Sequence, residues 1–120
     1  MAEAVIVAVA RSPIGRAFKG SLRELRPDDL AATIVRAALD KVPQLAPADI
    51  DDLMLGCGLP GGEAGFNMGR VVAILLGFDH LPGTTLTRYC ASSLQTTRMA
   101  LHAIRAGEGD VFVSAGVGAG

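Results

Sequence analysis

Apolar residues along this chain fall into short unbroken runs, separated by stretches where they recur every three or four positions. Val5 to Val9 is a run of strand length, and Leu53 to Cys57 is a second. Thr84 to Tyr89 combines β-branched residues with Leu86 and reads as a third strand. Asp110 to Ala115, through Val111, Phe112 and Val113, reads as a fourth. After the first run, Asp28 and Asp29 follow Pro27 and make a good helix start. Leu30, Ile34, Val35, Ala38, Leu39 and Val42 then keep helical spacing until Pro43. Asn67 to Leu76 predicts a second helix stopped by Gly77, and Ser92 to Ala106 a third ended by Gly107.

Strands that are apolar throughout are normally buried on both faces. The order is therefore βαβαβαβ, and it predicts an α/β fold with a largely parallel sheet buried between helix layers. No linker, internal repeat or low-complexity segment divides the chain, so residues 1–120 are expected to form one domain. In the third helix, Leu94, Thr97, Ala100, Leu101, Ala103 and Ile104 spread around most of the circumference. That distribution predicts a central helix covered on several sides. Arg16 to Arg26 is polar and reads as loop, with one helical turn where Ser21 and Glu24 have capping-box spacing.

Composition narrows the function classes. Hydrophobic residues make up 50% and aromatics 4%, with 15 glycines, a balance that suits helices packed closely on a sheet. A net charge of -1 without a basic cluster argues against a nucleic-acid surface. The apolar runs are too short for a membrane span. Met1 to Val7 has no basic region ahead of its apolar stretch and does not read as a signal peptide. The two cysteines, Cys57 and Cys90, are too few for a disulfide framework and lack metal-ligand spacing. A cytoplasmic, reduced setting is expected, with no metal and no resident cofactor.

The residue richest in chemistry is Cys90, placed where the third strand gives way to the third helix. The first turn of a helix carries free N–H groups and the positive end of the macrodipole. Thiols held there form the reactive thiolate more readily. The same N–H groups can stabilise an oxyanion on an acyl group beside the sulfur. Against the nucleophile stands an inert buried thiol, since free cysteine is among the most buried residue types. Cys57, at the end of a strand, reads as simply buried. Gly58, Gly61, Gly62 and Gly65 fit no nucleotide-binding fingerprint and read as turn formers. Arg16, Lys19, Arg23 and Arg26 could meet phosphates but read first as a solvated loop. His80 and His102 have no catalytic partner pattern around them and read as structural or solvent-facing.

Taken together, the motifs resemble those of the N-terminal half of a thiolase, an acyl-CoA C-acyltransferase. Arg11-Ser12-Pro13-Ile14-Gly15 is similar to the family's segment after its first strand. Gly56 to Arg70, with Pro60, Gly62-Glu63 and the pair Asn67 and Arg70, is similar to its second-strand loop and following helix. Cys90-Ala91-Ser92-Ser93-Leu94-Gln95 matches the surroundings of the acyl-accepting cysteine, and Gly107-Glu108-Gly109-Asp110 fits the approach to the fourth strand. The matches run in order over nearly the whole chain.

The resemblance implies that Cys90 carries an acyl group during formation or cleavage of a 3-ketoacyl-CoA. The substrates would be acyl-CoA and CoA, in fatty acid or related lipid metabolism. It assigns Asn67 and Arg70 to an interface or to support of the active-site loop. It also implies a homo-oligomer, or association with a C-terminal half that holds the activating histidine and a second, acid/base cysteine. Two departures are Ala91 and Ser93, where the family usually has Ser or Gly and then Gly, and Gly116-Val117-Gly118, where it commonly has Gly-Val-Glu. A β-ketoacyl synthase of the same broad fold and a non-catalytic thiolase-like subunit are the alternative readings. The Arg-Ser-Pro-Ile-Gly segment and the Asn67/Arg70 pair favour thiolase over the synthase.

Overall fold

The computed structural model describes residues 2–15, 22 and 25–118. Its helices are α1 (Pro27–Asp40), α2 (Met68–Leu75) and α3 (Ser92–Ala106), and its strands β1 (Asp52–Cys57), β2 (Thr84–Leu86) and β3 (Phe112–Val117). The sheet is parallel throughout, in the order β2-β1-β3. β1 is central, which is why an unbroken apolar run was needed there: Leu53, Leu55 and Cys57 are all but inaccessible.

Side chains alternate across a strand, and this assigns the helices to layers. Leu53, Leu55 and Cys57 join Ala31 and Val35 of α1 and Met68, Val72 and Ala73 of α2 in one core, with Val113, Ala115 and Val117 of β3 packed against it. The opposite face of the sheet, at Gly56, Ser114 and Gly116, meets α3 through Ser92, Ser93, Thr96 and Thr97. The result is the expected buried parallel sheet between helix layers. Each large core side chain withdrawn from water contributes roughly 1.5–3 kcal/mol before chain entropy is counted.

The first expected strand is not formed. Residues 5 to 9 make no ladder, and Val5, Ile6, Val7 and Val9 are 71%, 76%, 74% and 67% exposed. An apolar run reports a segment suited to burial, but a strand exists only where another backbone pairs with it. Here Val9 offers its carbonyl to the Lys41 ammonium instead. The architecture of the described residues is thus αβαβαβ with three strands, not βαβαβαβ with four.

Strand boundaries also move, two of them where a side chain captures the backbone. The third strand stops at Leu86 instead of Tyr89, since the chain then turns through a left-handed Tyr89. The fourth begins at Phe112 instead of Asp110, because Asp51 Oδ2 accepts the Asp110 and Val111 N–H groups at 2.7 and 3.1 Å. It then runs on through Val117, two residues past the expected end at Ala115. The helix over Ser92–Ala106 has the expected bounds and ends at Gly107, whose φ of 79° is the left-handed geometry a helix stop uses. Its covering is narrower than expected. Ser92, Thr96 and Ala100 form the buried stripe, while Leu94 is 72% exposed.

Candidate functional site

The site is built around the passage from β2 to α3. After Leu86 the chain runs through Thr87 and Arg88 and makes a tight turn over Tyr89–Ala91, with the Ala91 N–H donating to the Arg88 carbonyl at 3.0 Å. α3 follows without a break. Ala91 occupies its cap position and supplies no side-chain acceptor to the first turn. Cys90 sits in this turn, immediately before the helix, and is exposed. The buried thiol is therefore Cys57, 2% exposed at the end of β1, and not Cys90.

Tyr89, directly before the thiol, has φ 51°. For a bulky residue this left-handed backbone costs about 1–2 kcal/mol, so its surroundings must hold it. Hydroxyl groups do so on both sides. The Tyr89 N–H donates to Thr87 Oγ1 at 3.2 Å, and the Ser92 hydroxyl donates to the Tyr89 carbonyl at 2.7 Å. Ser92 Oγ also accepts the Arg88 N–H at 2.8 Å, and Thr87 donates onward to the Gly58 carbonyl at 3.3 Å. The turn is thereby tied to the end of β1.

Glycines let the turn approach the sheet. A Cβ on Gly56 would lie 2.5 Å from the Ser92 carbonyl carbon and 2.7 Å from the Ser93 nitrogen. One on Gly116 would lie 2.6 Å from Ser93 Cβ. Gly56 and Gly116 are partners in the β1–β3 register, so they form one bare saddle under the start of α3. Further along, Thr96 and Thr97 both meet Ser114 Oγ, at 2.8 and 2.9 Å, and both donate to the Ser93 carbonyl.

Asn67 and Arg70 lie at the other end of β2. Asn67 accepts from the Thr85 hydroxyl at 2.6 Å and donates to the Gly83 carbonyl at 3.0 Å, while Thr85 Oγ1 accepts the Gly69 N–H at 2.7 Å. Arg70 Nη1 donates to the Asp79 and Leu81 carbonyls. Arg70 pins α2 to the loop that enters β2, and Asn67 pins it to Gly83 and to Thr85, the latter two residues before Thr87. Of the basic stretch, Arg16, Lys19 and Arg23 lie outside the described residues, as do Ser21 and Glu24. Arg26 is engaged with acids, at 3.0 Å from Asp28 and 2.8 Å from Glu63. Its guanidinium holds the Asp28 carboxyl below the usual carboxylate range, against the opposing pull of burial.

Neither histidine joins Cys90. His80 Nε2 is 2.9 Å from the Pro47 carbonyl and is exposed. His102 is exposed on α3, about 15 Å along the helix from Ser92 at 1.5 Å per residue. Among the described residues no cluster of His, Cys, Asp and Glu could hold a metal ion, and no helix is long and apolar enough to cross a membrane.

Reading the sequence missed the partners of the turn: Thr87, Ser92, Gly56 and Gly116. A signal existed for the first two, because Ser and Thr flanking a strand-to-helix junction commonly bond to nearby backbone groups. Nothing local marks Gly56 and Gly116, whose role depends on a helix from elsewhere in the chain.

Comparison with known proteins adds the family. Residues 4–119 match the family model described as thiolase, N-terminal domain. The chain is 43% identical over 117 residues to a 3-ketoacyl-CoA thiolase of Bacillus subtilis, covering 97% of this chain and 30% of that protein. It is 40% identical over 118 residues to a beta-ketoadipyl-CoA thiolase of Acinetobacter baylyi, covering 98% of this chain and 29% of that protein. The crystal structure of the Bacillus anthracis acetyl-CoA acetyltransferase superposes with a TM-score of 0.84 at 33% identity, over 93% of this chain and 28% of that one. The chain thus spans about 30% of the length of the curated relatives it matches. With the matched residues running from one end of the fold to the other, the chain belongs to the thiolase family, in the part that forms its N-terminal domain.

Proposed function

We propose that this chain is the nucleophile-bearing part of an acyl-CoA C-acyltransferase that forms or cleaves 3-ketoacyl-CoA, with Cys90 as the acyl acceptor. The observation that carries the reading is the exposed Cys90 thiol in a held turn at the start of α3. The names of the relatives support it, since 3-ketoacyl-CoA and beta-ketoadipyl-CoA thiolases both act on CoA thioesters.

In cleavage, the Cys90 thiolate attacks the keto carbon of a 3-ketoacyl-CoA. The bond between that carbon and its neighbour toward the thioester breaks. The departing acetyl-CoA enolate takes up a proton, and the remaining acyl group stays on sulfur. A CoA thiolate then attacks the acyl-sulfur carbonyl, releasing acyl-CoA and regenerating the Cys90 thiolate. Synthesis is the reverse, with acetyl-CoA deprotonated to supply the carbanion. Both directions are ping-pong covalent catalysis. N–H groups of the first turn of α3 stabilise the oxyanion of each tetrahedral intermediate. The substrates are CoA thioesters, and the chemistry calls for no further cofactor. Proton transfer falls to groups outside the described residues, in an assembly with a second half or a second copy.

The test is covalent labelling. Acetyl-CoA is expected to add an acyl mass to the peptide containing Cys90, and Cys90→Ser in the complete enzyme to remove almost all thiolysis with the fold intact. An acyl group found on Cys57, with Cys90 unmodified, would overturn the assignment.

A further inference from the structure

The strained residue next to Cys90 is held by two side chains that make no claim on the chemistry themselves. Tyr89 has φ 51°, in the region that side chains rarely adopt. Its N–H is taken by Thr87 Oγ1 and its carbonyl by the Ser92 hydroxyl. Ser92 also holds the Arg88 N–H, so one buried hydroxyl closes the turn from both ends. Thr87 anchors the other side to the Gly58 carbonyl. Gly58 in turn lies against the Tyr89 backbone, where an added Cβ would sit 3.2 Å from the Tyr89 oxygen.

We infer that Thr87 and Ser92 are positioning residues for Cys90, acting through Tyr89. Rotation about the Tyr89 backbone carries the Cys90 Cα–Cβ bond with it, so a turn fixed at Tyr89 fixes the direction of the thiol. Without the hydroxyls, Tyr89 relaxes to ordinary negative φ and Cys90 swings relative to the first turn of α3. A misplacement of about 1 Å in a reacting group can cost on the order of a hundredfold in rate. The inference rests on Cys90 as nucleophile only for its effect on rate. The clamp itself is a statement about backbone geometry.

Thr87→Val is the cleaner variant, because Thr87 is exposed and valine keeps its shape while losing the hydroxyl. Thr87→Ser restores the hydroxyl without the methyl group and serves as the rescue. Ser92→Ala tests the buried side of the clamp. Two measurements separate the possibilities: the Tyr89 Cα and Cβ chemical shifts, which report left-handed backbone, and the rate of Cys90 acylation by acetyl-CoA. Thr87→Val and Ser92→Ala are expected to move the Tyr89 shifts and to slow acylation about tenfold or more, with acetyl-CoA affinity unchanged. Thr87→Ser is expected to recover both. Unchanged Tyr89 shifts and acylation rates in both folded variants would overturn the inference. Equal losses in Thr87→Ser and Thr87→Val would also overturn it, since the hydroxyl would then be irrelevant. If Cys90 of the unaltered protein takes no acyl group, the nucleophile reading fails. Moved Tyr89 shifts in the variants would then support the clamp as a device of the backbone alone.

Discussion

A thiol that must meet a carbonyl carbon needs a fixed direction more than a deep pocket. Beside the hydroxyl clamp on Tyr89, the start of α3 is seated by close contacts at Gly56 and Gly116 that only glycine permits. Gly56→Ala would drive a methyl group into the Ser92–Ser93 peptide, at 2.5 and 2.7 Å. Overpacking of this kind costs roughly 1–3 kcal/mol, and the start of α3 must rise to relieve it. Gly107→Ala offers the contrast, since it meets open space and carries only the cost of a left-handed alanine, about 1 kcal/mol. Thermal unfolding is expected to show both losses. Iodoacetamide labelling of Cys90 is expected to change in Gly56→Ala alone. Equal labelling in the two variants would show that the saddle does not set the thiol's position. At this scale Cys90 and Cys57 were legible in the sequence, because strand-to-helix position and strand burial are local properties. Gly56 and Gly116 were not, because a bare spot on a sheet acquires meaning only from the helix laid on it.

Among elements, the best-read segments were those whose period and stop signals agree. α3 has its expected bounds because fifteen residues without Gly or Pro run straight into Gly107. The strands were read a few residues long or short wherever a carboxylate or hydroxyl took over the backbone, and hydropathy carries no trace of that. Asp51 is the clearest case. Its carboxyl accepts the Asp110 and Val111 N–H groups, and those bonds hold it below the ordinary aspartate range. A carboxylate with a lowered folded pKa stabilises the fold above its unfolded pKa, and loses that effect as pH falls through the folded value. Acidification below the ordinary aspartate range is therefore expected to release the 107–111 connection, seen as faster amide exchange at Asp110 and Val111 once intrinsic rates are corrected for pH. Asp51→Ala should show that fast exchange at neutral pH and little further response to acid. Protected amides in Asp51→Ala would mean that the β1–β3 ladder holds the loop unaided.

On the scale of the whole molecule, the described residues bring one candidate nucleophile to the site and no base beside it. Acid/base groups typically contribute about a hundredfold to ten-thousandfold each, and members of a catalytic set lose their joint effect when separated. The 120-residue chain by itself is expected to show no sustained conversion of acetoacetyl-CoA and CoA to acetyl-CoA. Turnover abolished by Cys90→Ala in the same preparation would mean that His80, His102 or Cys57 serves after all. The exposed Val5, Ile6, Val7, Val9 and Leu94 argue in the same direction. Apolar surface of that extent normally meets a partner. The isolated chain is expected to bind a hydrophobic dye strongly and to scatter light as a concentration-dependent oligomer. A monodisperse monomer without dye binding would count against any missing partner. The layered α/β order was legible because each strand and helix advertises its own burial. The absence of the first strand was not, because pairing is a property of two segments and the sequence shows them one at a time.

The glycine saddle also separates two things that an engineer would want to vary independently. The start of α3, and with it the height of Cys90 above the sheet, rests on Gly56 through the Ser92–Ser93 peptide and on Gly116 through the Ser93 side chain. Three of the bulky groups left exposed among the described residues, Leu59, Phe66 and Leu94, are not among the atoms of that seating. Libraries randomised at those three positions should therefore reshape what the surface accepts and leave thiol presentation untouched, so reactivity and selectivity can be tuned on separate residues.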